Sequence, residues 1–244
     1  LVLVVTLSMA LTPIGFWLLE HVLEPHWSER DERKFDSLED MPEHEVIIAG
    51  FGRVGQIIAR VLRVHRIQFV ALESSARQVD FVRRFGNQVF YGKLDNLALL
   101  EAAGAKKAKL LVLAIDDVEE SVRTAQIIRH YFPKLPIYAR ARDRMHAYRL
   151  MDLGISVIHR ETLGSSLEMA RDVLINIGFN QVNAELSVKR FREYDDQLMV
   201  RQQAIYQNET ALVESAKQAM QELEGLFESD SRAARRTTDE AENK

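Results

Sequence analysis

The sequence predicts an α/β fold: a doubly wound parallel sheet, preceded by the end of a membrane-spanning helix and followed by a long amphipathic helix. Three observations predict it. Between residues 45 and 178, short β-rich runs alternate strictly with helical runs, which implies parallel strands joined by right-handed crossovers. The first run ends in the glycine fingerprint Gly50-Phe51-Gly52-Arg53-Val54-Gly55. The chain opens on nineteen uncharged, mostly apolar residues, Leu1 to Leu19, within the length a membrane span needs.

Composition narrows the function classes. With 244 residues, one ordinary domain plus appendages or two small domains are affordable. The absence of Cys excludes a disulfide scaffold, a Cys-ligated metal and a thiol nucleophile from this chain. Lys and Arg number 32 against 36 Asp and Glu, so no global basic field argues for nucleic acid.

Residues 1–23 are expected to be the end of a last transmembrane helix. Pro13 and Gly15 are tolerated in such helices, and Trp17 lies where an interfacial aromatic belongs. A secretory signal fits poorly, because no basic segment precedes the run and no small-x-small cleavage site follows it. The chain starts on Leu rather than Met and reads as a piece of a longer one. Arg30, Arg33 and Lys34 are the first basic residues beyond the span, which points to a cytoplasmic remainder. Residues 24–44 are polar and aperiodic, a juxtamembrane linker; His21, Glu24 and His26 read as a solvated membrane edge rather than a metal site.

From 45 to 180 the elements follow in order. EVIIA (45–49) is a buried strand, and the helix QIIARVLRVH comes after the fingerprint. IQFVALE (67–73), QVFYG (88–92), AKLLVLAID (108–116), LPIYARA (135–141) and SVIHR (156–160) are the next five strands. The helices between them are ARQVDFVRRF, LALLEAAG closed by Gly104, VEESVRTAQIIRHYF stopped by Pro133, and RMHAYRLMDLG ending at Gly154. LGSSLEMARDVLINIG ends at Gly178. Residues 181–230 form a helical extension, one long or once-broken helix, because Leu186, Phe191, Tyr194, Leu198, Ile205, Leu212, Ala216, Leu223 and Phe227 recur at near-helical spacing. The tail, 231–244, reads as disordered.

The fingerprint follows a strand and opens a helix, the context of a Rossmann-like nucleotide site. Gly50 permits the tight turn, Gly52 lets a phosphate approach the backbone, and Gly55 lets helix and strand pack closely. Amides at the helix start then hold the phosphate, aided by the helix dipole. Phe51, Arg53 and Val54 complete the loop. Glu73 ends the second strand, where an acid accepts from ribose hydroxyls and repels a 2′-phosphate; Ser74 is beside it. Asp116 ends the fourth strand and either faces the nucleotide or caps the next helix. Lys93 and Asp95, after the third strand, are further candidates for the crevice. Arg140 and Arg142 share a face by period-two spacing, and with Arg160 and Arg60 they either bind a small polyanion or form salt bridges with Asp143, Asp152 and Glu161.

EVIIAGFGRVGQ, VFYG, LLVLAIDD, YARARD and HRET together resemble the regulatory nucleotide-binding domain of glutathione-gated potassium efflux systems. These are the Kef-type members of the cation:proton antiporter family, whose regulatory domains are of the RCK/KTN (TrkA-N) kind. The resemblance covers roughly residues 45–200. It implies a homodimer on the cytoplasmic face of a bacterial inner membrane, attached to its own transport domain and served by an ancillary flavoprotein subunit similar to quinone oxidoreductases. It implies AMP or NAD(H) in the crevice, in a structural or regulatory role. It implies glutathione between the copies, holding the transporter closed, and glutathione–electrophile adducts opening it. By resemblance, Arg160 contacts glutathione and Phe85 distinguishes it from its adducts, the alternative for Phe85 being a plain core residue. Asp195 falls near a ligand-pocket position where relatives carry Asn, and Lys93 stands where relatives carry an acid; both are departures.

Two rival readings are a potassium channel or uptake system with the same type of domain, and an NAD-dependent oxidoreductase. The second needs a substrate domain with a general acid or base after the nucleotide half, where this chain has an amphipathic helix. His130, His146 and His159 are its candidate acids, each also readable as a surface or packing residue. No catalytic role is expected.

Overall fold

The computed structural model describes residues 11–12, 44–86 and 88–242. The chain divides into two compact units, 1–36 and 37–244. In the first, Leu11 and Thr12 are described and helical; the expected membrane helix and linker otherwise lie outside the described residues. Among the described residues no helix is long and apolar enough to cross a membrane.

The second unit holds a parallel six-stranded sheet. Its strands are β1 (Val46–Ala49), β2 (Phe69–Glu73), β3 (Phe90–Tyr91), β4 (Leu110–Leu113), β5 (Ile137–Ala141) and β6 (Val157–Arg160). Their spatial order is β3-β2-β1-β4-β5-β6, so the winding reverses between β1 and β4. Ile47 pairs in register with Val70 on one side and Leu111 on the other. The crossovers are α1 (Arg53–Val64), α2 (Ala76–Arg83), α3 (Leu97–Ala102), α4 (Val118–Tyr131) and α5 (Arg144–Asp152).

Strand side chains alternate between two cores, as period two requires. Ile48, Ala71 and Val112 face one way, toward Ala59 of α1 and Val79 and Val82 of α2. Ile47, Leu72 and Leu113 face the other way, toward Leu100 of α3, Ala125 and Ile128 of α4, and Tyr148 and Leu150 of α5. Near-continuous apolar strands are what a sheet covered on both faces needs.

After β6 come α6 (Leu163–Asn176), α7 (Gln181–Gln203) and α8 (Glu209–Glu242). The expected extension is therefore broken once, at residues 204–208, and its second part runs to Glu242 through the stretch expected to be a disordered tail. The expected third strand, 88–92, narrows to Phe90–Tyr91 at the sheet edge, where pairing exists on one side alone. Asp117, not Asp116, caps α4, accepting from Glu120 N–H at 2.7 Å.

Candidate functional site

All six strands are parallel, so their carboxyl ends share one edge, and the crevice opens where the winding reverses. Here the fingerprint joins β1 to α1. Gly50 adopts φ 95°, and a Cβ there would stand 2.7 Å from the Ala114 backbone, so β4's continuation leaves room for Gly alone. A Cβ on Gly55 would stand 2.2 Å from the Gly50 carbonyl oxygen. A Cβ on Gly52 would meet nothing within 4 Å, so that glycine borders open space. Gly52 is also the N-cap of α1 and makes no side-chain cap bond, whereas Ser75, Asn96, Asp117, Asp143 and Asn180 cap their helices with their own side chains. The first intrahelical bond runs from Gln56 N–H to Gly52 C=O at 3.0 Å. The amides before it at the start of α1 have no carbonyl one turn back within the helix, and amides so placed are donors for an anion.

Glu73 is almost fully buried at the end of β2. Its Oε2 accepts from Phe51 N–H at 2.7 Å and its Oε1 from Ser75 N–H at 2.9 Å. The carboxylate therefore braces the glycine turn, a role the sequence reading did not assign, and it retains lone pairs for ribose hydroxyls. Ser74 Oγ donates to Glu120 Oε2 at 3.2 Å, and burial raises the Glu120 pKa. Val54 packs on the α1 side core.

Across β4, β5 and β6, four charges form a chain. Buried Arg140 donates to Asp116 and to Glu161, and Arg53 reaches Glu161 at 3.1 Å from the first position of α1. The salt-bridge alternative is thus realised for Arg140, with Asp116 as a partner. The Asp116 side chain is 68% exposed.

A second charged cluster ties the sheet to the helices after it. Asp195 of α7 is buried and accepts from Arg160 at the end of β6 and from Arg144 at the start of α5. Gln202 Oε1 accepts from Arg144 at 3.1 Å and from Tyr148 O–H at 2.9 Å, while its Nε2 donates to Ser215 Oγ of α8 at 3.3 Å. Sequence reasoning missed Gln202; the signal was a polar residue seven after Asp195, one position pair on the same helical face. Beside this cluster lies a cleft of about 580 Å³, lined by Met151, Ile155, Ile158, Met199 and Val200 with Arg160 and Asp196 at its polar side.

The remaining candidates scatter. Phe85 follows α2, is 68% exposed and meets Phe81 edge-to-face at 5.2 Å, so the plain core reading does not hold. Arg60 on α1 and Lys93 after β3 are exposed. Asp95 pairs with Arg123 at 3.3 Å. Arg142 is exposed, and its backbone N–H donates to Nδ1 of buried His146, whose Nε2 contacts Ser121 Oγ at 3.2 Å. Burial pushes the His146 pKa down. His130 and His159 are exposed. Among the described residues no group of acids and histidines could hold a metal.

Comparison with known proteins adds names to this geometry. The TrkA-N domain model matches residues 46–161, and the model of the potassium efflux system KefB C-terminal domain matches residues 165–243. A solved Kef C-terminal domain from Shewanella denitrificans, in an AMP-bound form, is 37% identical over 66% of this chain and 98% of its own, with a TM-score of 0.60. The TrkA-N domain of the inner membrane protein ybaL from Escherichia coli is 27% identical over 55% of this chain and 96% of its own, with a TM-score of 0.46. The GsuK channel bound to NAD is 20% identical over 63% of this chain and 28% of its own, with a TM-score of 0.48.

Proposed function

The chain belongs to the Kef-type C-terminal regulatory domains, of the TrkA-N (RCK/KTN) kind found in potassium transport systems, and from that membership we propose that it is the cytoplasmic, ligand-gated domain of a potassium:proton antiporter. In this reading glutathione holds the transporter closed, glutathione–electrophile adducts open it, and an adenosine nucleotide occupies the crevice between β1 and β4. The Kef domain of Shewanella denitrificans carries AMP, and the open side of Gly52, the uncapped start of α1 and Glu73 supply the same chemistry here. They would hold the phosphate and the ribose.

The observation that carries the glutathione part is the Arg144–Asp195–Arg160 cluster beside the cleft. Two guanidiniums share one carboxylate, which leaves a net positive charge for a ligand carboxylate. Asp196 on the cleft is a partner for an ammonium. Glutathione carries two carboxylates and one ammonium, and the cleft volume falls within the ~300–1,000 Å³ of small-molecule sites.

Phe85 and Arg160 belong to opposite ends of the strand order, Phe85 on the β2–β3 connection and Arg160 on β6. Five strand steps at about 4.8 Å each separate β3 from β6 by about 24 Å. One small ligand touching both must take them from two copies. Exposed Met169 and Val173 on α6, Ile177 just after it, and Val182 and Leu186 on α7 supply apolar surface for such pairing.

The test is potassium efflux from cells carrying the whole transporter, before and after N-ethylmaleimide. Phe85→Leu should keep the resting state closed and blunt the response to adducts, because a ligand shifts an equilibrium by its differential affinity alone. Proportional loss of both responses removes Phe85 from the sensing role.

A further inference from the structure

We propose that Gln202 sets the affinity of the charged cleft for an anionic ligand, by dividing the Asp195 carboxylate between Arg144 and Arg160. This rests on the glutathione reading above and adds a positioning residue to it. Gln202 lies near the end of α7 and is buried, 3% exposed. Its side chain joins three helices. Oε1 accepts from Arg144 at 3.1 Å and from Tyr148 O–H at 2.9 Å, both on α5, and Nε2 donates to Ser215 Oγ on α8 at 3.3 Å. A buried amide engaged in this way is held in one orientation, since turning it leaves polar atoms without partners.

The consequence falls on Arg144. A guanidinium and a carboxylate favour a fork-to-fork pair, with two parallel N–H···O bonds. Arg144 does not make one. Its Nη2 donates to Asp195 Oδ1, while its Nη1 donates to Gln202 Oε1. Oδ2 of Asp195 is thereby left to Arg160, which lines the cleft. Gln202 is thus a second acceptor that keeps Arg144 from closing on both oxygens of Asp195. Without that acceptor the Arg144 fork closes on the carboxylate, Arg160 loses its partner, and its guanidinium is released to a ligand carboxylate. Gln202 is neutral, so an apolar replacement changes no formal charge, and any change in affinity comes from redistributing Asp195. A role confined to packing predicts the opposite sign, because loosening the joint between the three helices blurs the geometry of the cleft and weakens binding.

The test is calorimetric titration of glutathione into the full chain as wild type, Gln202→Met, Arg144→Met and the double variant. Gln202→Met, which keeps an unbranched side chain, should bind glutathione roughly three- to tenfold tighter than wild type, a coupling usual for residues of one hydrogen-bonded network. In the Arg144→Met background the same change should move the affinity by less than about twofold, because no fork is left to redirect. Should Gln202→Met melt below the assay temperature, Gln202→Glu, of the same shape, carries the test with the sign reversed. Its carboxylate holds Arg144 more firmly, leaves Asp195 to Arg160, and should weaken glutathione binding more when Arg144 is present than when it is replaced. Unchanged or weaker binding by Gln202→Met, or equal tightening with and without Arg144, overturns the role of Gln202 and leaves the glutathione site standing. An effect of Gln202→Glu that is the same in both backgrounds overturns it too. No saturable binding by wild type removes the glutathione reading, and this inference with it.

Discussion

Replacing Glu73 by Gln separates the two roles its carboxylate holds. In the structure Oε2 takes the Phe51 N–H at 2.7 Å and Oε1 takes the Ser75 N–H at 2.9 Å, and the side chain is buried. Glutamine keeps one oxygen and replaces the other by an NH₂ group, so one of the two amides faces a donor. The direct loss is one hydrogen bond to a charged acceptor, about 1.5–3 kcal/mol, and a buried N–H left unpaired costs about 1–3 kcal/mol. Ser75 is exposed, so its amide can turn to water, whereas the Phe51 amide cannot. The amide oxygen should therefore stay with Phe51, and the net cost should be about 2–4 kcal/mol. For a chain of this size that lowers Tm by roughly 4–16 °C. The assay is thermal unfolding followed by circular dichroism, without nucleotide, alongside Glu73→Ala, which removes both acceptors and should melt lower still. If Glu73→Gln melts within about a degree of wild type, the bracing of the glycine turn contributes nothing, and Glu73 serves the ligand alone.

Gly55→Ala drives a Cβ to 2.2 Å from the Gly50 oxygen and should unfold or strongly destabilise the domain, whereas Gly52→Ala, with open space around its Cβ, should melt like wild type and lose AMP binding; a retained AMP affinity in Gly52→Ala would disconnect that glycine from the phosphate. His146 is buried with its pKa pushed below the ordinary 6.5, so the unfolded chain binds its proton more readily, and stability should be full above about pH 6.5 and decline as pH falls toward the depressed folded value. Glu120, raised by burial, works in the opposite sense, favouring the fold less as pH rises from about 4.5 through its raised value. Melting between pH 7.5 and 5.5 should therefore fall less in His146→Gln than in wild type, and an identical fall would exclude His146 as its source. Val173→Asp with Met169→Glu should shift sedimentation toward monomer, since both side chains are exposed on one apolar face of α6; unchanged assembly would place the interface elsewhere.

The glycine turn, the strand–helix alternation and Glu73 were legible because each is written in neighbouring residues. Gly50 at φ 95° and the strand that precedes it fall within one short window, and Glu73 follows at the distance the fold dictates. Arg140 was read with its bridging alternative open, and Glu161 among its partners, but nothing local ties Arg140 to Asp116, 24 residues earlier. Asp195 and Asp196 are adjacent in sequence and differ by one helical step. The step that buries Asp195 also buries Leu198, Met199 and Gln202, and turns Asp196 to the cleft. That choice depends on α5 and β6 lying against α7, which no pattern within α7 states. Phe85 illustrates the reverse limit: the sequence left it open between an adduct-sensing residue and plain core, and only the finished surface leaves it exposed beside Phe81.

The central claim, a regulatory domain whose charged cleft takes glutathione, is tested most directly by calorimetric titration of glutathione into wild type and Arg160→Ala. Wild type should bind saturably. Arg160→Ala should lose one charge-assisted contact of about 1.5–3 kcal/mol, which is about tenfold to over a hundredfold in affinity. Asp195→Asn, which frees both guanidiniums, should bind glutathione more tightly at some expense of stability. No saturable binding by wild type, or wild-type affinity in Arg160→Ala, would contradict the account.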